Sequence, residues 1–390
     1  MMRKVLLLSA SPCDSSRASS IWMSNLTIAL AAAGFETRVF CYGGGRCDVG
    51  EGSQVQYMYS KAPSMFLERL PKIGNLLRQL TQIAVIKKHG AMYDLIVPLG
   101  GPYKPSGEKK RVETVHSVGA EYLHPILEHP MVRTGISGIR ELDNYVKDIA
   151  NIYDYIMPIT TYLSSMYRRN GRRKPIFLNP IIVNTAEFSF VKNAKFQSVR
   201  NLLYCGNLDH AREMELLVKS FSLVVKHKSD LKLRIVGGYS SIRKAHQKHS
   251  KLKSLCSKLG INDSVIFTGN ISHSSVLKHY AGSDMFLLPR PYEAYSLAGF
   301  PSKLGEYLAS GKPVVTTGTG DIPMYLEDGH TAYIVDMDNE SAFSEKIATA
   351  IEDDRSNEIG AAGAEAAEKY FSIQATTRRI SNFFVNTLCM

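Results

Sequence analysis

Residues 300–315 read FPSKLGEYLASGKPVV. Pro301 and Ser302 have the character of a helix start. Gly311 ends that helix, and Lys312-Pro313-Val314-Val315 runs into a strand. Lys303 and Glu306 are three positions apart and so project from one side of the first helical turns. Free N–H groups, the positive end of the helix dipole and an ammonium would converge there, which suits a diphosphate. A carboxylate one turn further on can accept the hydroxyls of a ribose. An isolated Lys-x-x-Glu is usually an ordinary surface pair, so the surrounding chain has to decide.

Outward from this stretch, β-branched apolar runs alternate with longer helical stretches, the pattern of parallel sheets wrapped by helices. In the first half, residues 4–9 (KVLLLS), 36–42, 54–59, 93–98, 124–128 and 153–159 read as strands, with helices over 19–33 and 161–169. A further helical pattern, broken by Pro71, carries Phe66, Leu70, Ile73, Leu77 and Leu80. A second series begins after Lys195. Strands fall at 201–205, 232–236, 264–268, 285–288, 313–316 and 332–335, with helices between them, and the tail over 373–388 is helical. The expected fold class is α/β: two doubly wound, Rossmann-like domains facing across a cleft. Their limits are 1–195 and 196–372, with a C-terminal helix at 373–390 that crosses back to the first domain. Such sheets bind ligands at the carboxyl ends of their strands.

The chain has 390 residues, 44% hydrophobic and 21% charged, which excludes collagen-like and largely disordered classes. No run of about 18 apolar residues is present for a membrane span. The first residues read as a strand rather than a secretion signal. Six scattered cysteines without C-x-x-C or zinc spacing point to a reducing, cytoplasmic setting and to no structural metal. The formal net charge of +11 is uneven: residues 1–195 hold 25 Lys+Arg against 15 Asp+Glu, the remainder 22 against 21. That asymmetry suggests that the first half faces something anionic.

The run P-x-K-x-x-E-Y-L-A-x-G-K-P-V-V resembles the donor-binding signature of the retaining GT-B glycosyltransferases, family 4-like (glycosyl transferases group 1). The resemblance implies that Lys303 holds the diphosphate of a nucleotide sugar and Glu306 its ribose. Residues 204–212 (YCGNLDHAR) resemble the family's strand–G-R-L–loop–K element, in which an arginine and a lysine neutralise the departing diphosphate. Gly206 matches. Arg212 stands at the lysine, and Asn207 stands at the arginine, so one positive charge must come from elsewhere. Arg290, just past a strand end, is the candidate, although an exposed loop arginine reads equally well. Gly237, in a strand-end Gly-Gly, and Gly269-Asn270-Ile271, a segment whose backbone would read the base, follow in family order. The family's first glutamate would fall at Ala298, and the loop of Ser296, Leu297 and Ala298 takes its place beside the sugar. Glu128 and His129 resemble the family's acidic or histidine residue beside the acceptor, and a structural role suits a His-Pro pair equally. Arg212, Lys303, Glu128 and His129 are the expected catalytic set.

The function implied is metal-independent glycosyl transfer with retention, with no cofactor beyond the nucleotide-sugar donor. The acceptor would be a glycan or lipid-linked molecule, in cell-surface polysaccharide or glycolipid synthesis. A non-enzymatic binding scaffold and a nucleotide-sugar epimerase of the same fold remain open. Arg78, Lys87, Lys88, Arg172 and Arg173 are the expected anionic-membrane or acceptor surface of a cytoplasmic, peripherally membrane-associated protein. The clusters show no nucleic-acid recognition pattern.

Overall fold

The computed structural model describes residues 3–9, 18–42, 55–59, 71–99, 121–126, 146, 150–151, 153–188, 199–239 and 242–388. The chain divides into two compact units, one of 1–182 with 373–390, the other of 183–372.

The first unit holds strands β1 (Lys4–Ser9), β2 (Glu36–Cys41), β3 (Val55–Tyr59), β4 (Leu95–Leu99), β5 (Glu121–Ile126) and β6 (Tyr155–Pro158). They form a parallel sheet in the order β3-β2-β1-β4-β5-β6. Residues 5–8 of β1 are completely buried, as a central strand covered by helices on both faces requires. Helix α1 (Ala18–Ala32) turns Trp22, Met23, Leu26, Ala29 and Leu30 into that core at helical spacing. Helix α2 (Pro71–His89) begins at the proline that was expected to break it. Proline at a first helical position gives up an N–H that has no helical acceptor anyway, so it starts the helix. A short helix, α3 (Thr161–Arg169), is capped by the Thr160 side chain, which accepts from the Leu163 N–H.

The second unit repeats the plan with β7 (Asn201–Cys205), β8 (Lys232–Val236), β9 (Val265–Gly269), β10 (Met285–Leu288), β11 (Val314–Thr317) and β12 (Tyr333–Val335). The order is β12-β11-β10-β7-β8-β9, every pair parallel. Its helices are α4 (Ala211–Val225), α5 (Ile242–Lys258), α6 (His273–Ala281), α7 (Ala294–Ala298), α8 (Ser302–Ala309), α9 (Ile322–Tyr325), α10 (Glu340–Glu352) and α11 (Ser356–Tyr370). In both sheets the order reverses beside the first strand, between β1 and β4 and between β7 and β10. That reversal marks where ligands of doubly wound sheets bind.

The units divide after Ile182 rather than at residue 195. Val183 donates its N–H to the Phe371 carbonyl at 2.8 Å, and Phe188 stacks on Tyr280, so this stretch already belongs to the second unit. The last helix, α12 (Ile373–Leu388), belongs to the first unit. Phe384 meets the rings of Phe35 and Tyr155, each at 5.7 Å between centroids, and Ile373 and Ile380 join the same core. The Arg379 guanidinium donates to Asn179 Oδ1 at 2.9 Å.

Phe384 is 2% exposed. Phe384→Ala should lower stability by about 3–5 kcal/mol, the usual cost of emptying a ring-sized core site. A shifted urea midpoint for the first unit, with the second unit's transition unmoved, is the expected readout.

Candidate functional site

The carboxyl edge of the second sheet is stitched together by backbone. The Gly206 N–H donates to Val236 O at 3.0 Å, Leu208 N–H to Gly238 O at 2.8 Å, and Gly237 N–H to Gly269 O at 3.1 Å. The loops after β7, β8 and β9 therefore lie directly against one another. A Cβ at Gly237, whose φ is +124°, would stand 2.0 Å from Gly206 O, so no side chain fits there. This close approach accounts for Gly237, and a Cβ at Gly238 would stand 2.6 Å from Asn270 Oδ1. Asn270 is exposed beyond β9, and Ile271 is half-buried.

Helix α8 stands over this edge. Its Lys303 ammonium donates to both Glu306 oxygens, at 2.9 and 2.7 Å. The Tyr280 hydroxyl, from α6, donates to Glu306 Oε2 at 2.9 Å. Burial works against the charge on Lys303. Even so, Glu306 above all, with Cys205 and Glu187, holds the ammonium above the usual lysine range. One turn along, the Tyr307 hydroxyl accepts from the Cys205 N–H at 2.6 Å and donates to the Cys205 carbonyl at 3.0 Å, tying α8 to the end of β7. Lys312, 4% exposed, ends the same motif by donating to the carbonyls of Tyr280, Ala281 and Ser283. Its ammonium thus caps α6, the helix that carries Tyr280.

Beside the pair, His273 Nε2 lies 3.0 Å from Glu187 Oε2. The hydrogen bond from His273 lowers the Glu187 pKa, and the same bond raises that of His273.

The other expected residues separate. Arg212 is exposed and held by carboxylates, with Nη2 2.7 Å from Asp338 Oδ2 and Nη1 3.7 Å from Glu293 Oε1. Asn207 is exposed, and its Oδ1 accepts from the Asp209 N–H at 3.0 Å. Arg290 lies with its guanidinium carbon 5.1 Å from the centre of the Tyr295 ring. Ser296 and Ala298 are buried, Ala298 completely, and Leu297 is half-buried. Ala298 therefore presents no surface to a sugar, which corrects its expected place among the contacts.

Arg172 also needs correction. It is 3% exposed, and its five guanidinium donors reach the carbonyls of Lys174, Ala150, Tyr153, Asp154 and Pro175 at 2.6–3.0 Å. A fork saturated by backbone is structural, and no lipid can reach it. Lys87, Lys88 and Arg173 are exposed. Arg78 lies on α2, with its side chain outside the described residues, as are Glu128 and His129 altogether. Among the described residues, no cluster of three or more His, Cys, Asp or Glu could hold a metal ion. No described helix is long and apolar enough to cross a membrane.

Sequence reasoning missed Tyr280, Glu213, Tyr295 and His210. The available signal was a glutamate on the apolar face of α4, where a buried carboxylate must find donors.

Two parallel sheets of the same winding define the chain's class, the GT-B glycosyltransferase fold. Sucrose-phosphate synthase from Thermosynechococcus elongatus superimposes with a TM-score of 0.74 at 17% identity, over 99% of both chains. Anabaena HepE, in complex with UDP and glucose, superimposes with a TM-score of 0.68 at 14% identity, over 98% of this chain and 99% of that one. Residues 185–367, which lie within the second unit, match the family described as "Glycosyl transferases group 1". A D-inositol 3-phosphate glycosyltransferase of Streptomyces scabiei is 24% identical over 173 residues, 43% of this chain and 37% of the relative. The match thus spans 37–42% of the length of the curated relatives it resembles.

The His273–Glu187 pair gives a pH signature. The raised His273 pKa contributes stability that is full below its ordinary 6.5 and fades as pH rises through the folded value. The lowered Glu187 pKa contributes stability that is full above 4.5 and fades as pH falls through the folded value. The stability gap between wild type and His273→Gln should be widest between pH 4.5 and 6.5 and shrink on either side. Denaturant midpoints taken from acid to mildly alkaline pH check this, and a flat difference would refute it.

Proposed function

We propose that the chain is a retaining glycosyltransferase that moves a sugar from a nucleotide-diphosphate sugar to a glycan or lipid-linked acceptor, in cell-surface polysaccharide or glycolipid synthesis. The observation that carries this reading is the Lys303–Glu306 pair, held by Tyr280 and Tyr307 at the carboxyl edge of the parallel sheet. Lys303 exchanges Glu306 for the donor's diphosphate, and the freed carboxylate takes the ribose hydroxyls. The chain at Gly206, Gly237, Gly269, Asn270 and Ile271 lines the nucleotide with backbone. Arg212 comes to the diphosphate by leaving Asp338. Glu128 and His129 are the proposed acceptor-side residues, and the acceptor hydroxyl attacks from the face that the diphosphate leaves. Positive charge gathered where negative charge develops is the main source of rate in such a step. The presence of UDP and glucose on HepE supports a nucleotide-sugar donor. The exposed Lys87, Lys88 and Arg173 favour an anionic membrane as the place where the acceptor is met.

Thermal unfolding with UDP, GDP and ADP tests the donor reading. One of the three should stabilise the protein, by about 2.7 kcal/mol at a hundredfold excess over Kd. Glu306→Ala should abolish that shift. Release of nucleotide from the matching nucleotide sugar should need membranes or glycan as acceptor, whereas release without any acceptor would favour the epimerase. Binding without release under either condition would favour the scaffold. Reversing Lys87, Lys88 and Arg173 to Glu should detach the protein from anionic vesicles at low salt and leave the nucleotide shift intact. Wild-type protein that ignores such vesicles would refute the membrane reading.

A further inference from the structure

Helix α6 carries Tyr280, and two adjacent residues from an earlier stretch hold that helix at two points. Glu187 Oε2 lies 3.0 Å from His273 Nε2 at the start of α6. Phe188 stacks on Tyr280 with 6.1 Å between centroids and 23° between planes. His273 and Tyr280 are two helical turns apart, so they share one face and are separated by about 10.5 Å along the axis. The single turn Thr185–Phe188 bridges that distance.

The turn is itself fastened. Asn184 Nδ2 donates to Glu187 Oε1 at 2.9 Å, and the Thr185 hydroxyl donates to Glu368 Oε2 at 2.6 Å. With the Val183 N–H on the Phe371 carbonyl, both ends and the middle of the stretch are pinned. Phe188 is buried. A connection between two folded units needs no such fixing, since linkers are ordinarily exposed and crossed by few contacts.

The fixing serves Glu306. Its carboxylate accepts from the Lys303 ammonium at both oxygens and from the Tyr280 hydroxyl at Oε2. Once Lys303 turns to a diphosphate, the bond from Tyr280 is the one that Glu306 keeps among the described residues. Whether the carboxylate still faces a pair of hydroxyls then depends on where that phenol points. The Tyr280 ring is completely buried, with Phe286 and Tyr307 meeting it edge to face and Phe188 stacked on it. Lys312 holds the far end of α6, and the Glu187–His273 contact holds the near end.

We infer that the stretch 184–188, latched by Glu187 onto His273, aims Glu306 at the ribose, and that Glu187, Phe188 and His273 are positioning residues for ribose selection. The inference rests on the nucleotide-sugar reading above. None of the three touches the ligand: they act through Tyr280, and Tyr280 acts through Glu306.

The test measures full-chain affinity by calorimetry, for whichever of UDP, GDP and ADP binds and for its 2′,3′-dideoxy form. Wild-type protein should prefer the ribose form by about 10–100-fold, the worth of hydrogen bonds to a carboxylate. His273→Leu and Phe188→Leu should each cut that preference by about fivefold and leave affinity for the dideoxy form within about twofold. A merely loosened fold would weaken both forms alike. His273→Gln, whose amide can still donate to Glu187, should lose less than His273→Leu. Tyr280→Phe should cut the preference too, and His273→Leu added to it should cut no further, because both act through one hydroxyl. Three results would overturn the inference and leave the donor reading in place: equal losses on the two forms, an unchanged preference in His273→Leu and Phe188→Leu, or additive losses in the double variant. Wild-type protein that binds the diphosphate without preferring ribose overturns the inference together with the ribose role of Glu306. Wild-type protein that binds no nucleoside diphosphate overturns the donor reading as well.

Discussion

The Tyr307 hydroxyl grips both backbone groups of Cys205, and the second unit's site depends on that grip. A buried phenol must find partners or cost stability, and here it finds the last residue of the central strand β7. The helix bearing Lys303 and Glu306 is thereby fixed to the strand end whose loop bears Asn207 and leads into α4, which bears Arg212. Phe286 stacks flat on Tyr307 at 4.4 Å, so the neighbouring strand β10 enters the same joint. Tyr280 completes it, reaching from α6 to the Glu306 carboxylate with its ring edge on both Phe286 and Tyr307. Three aromatic rings and three hydroxyl contacts make one rigid block out of a strand end and two helices.

Cations elsewhere do structural work of a kind that a list of charges conceals. Lys312 closes the last turn of α6, and Arg172 gathers five carbonyls from two stretches of the first unit. Each puts a positive charge against several backbone carbonyl oxygens at once. Neither is available to a ligand. The exposed cations and the two arginines at the second sheet's edge differ in the same respect: Arg212 already has carboxylate partners, whereas Arg290 has an aromatic face.

How much of this was legible depends on the range of the interactions. KVLLLS, NLLYC and the run ending PVV are strands because continuous apolar residues between glycine and proline punctuation leave little else, and right-handed crossovers then give the winding. Lys303 and Glu306 were legible because three residues of helix fix their geometry. Tyr280 was not, since it meets Glu306 from 26 positions earlier in the chain, across strand, loop and helix. Arg172 was misread because a basic run, GRRK, looks like surface, and only the folded path brings Ala150 and Tyr153 around it. Ala298 went wrong for a related reason. A family position can be counted from a motif, but whether its side chain faces solvent is set by how α7 beds into the sheet.

The first unit takes its last helix from the far end of the chain, and this has a consequence for synthesis. Its core needs Ile380 and Phe384, which are made only after all of residues 183–372. At about 5–20 residues per second, a ribosome would take roughly ten to forty seconds over that insert. During that time the second unit can close by itself, while the first waits with the groove for α12 uncovered along α1. The order of birth is the reverse of the order of completion, and a chaperone or a membrane surface would meet the first unit in its unfinished form.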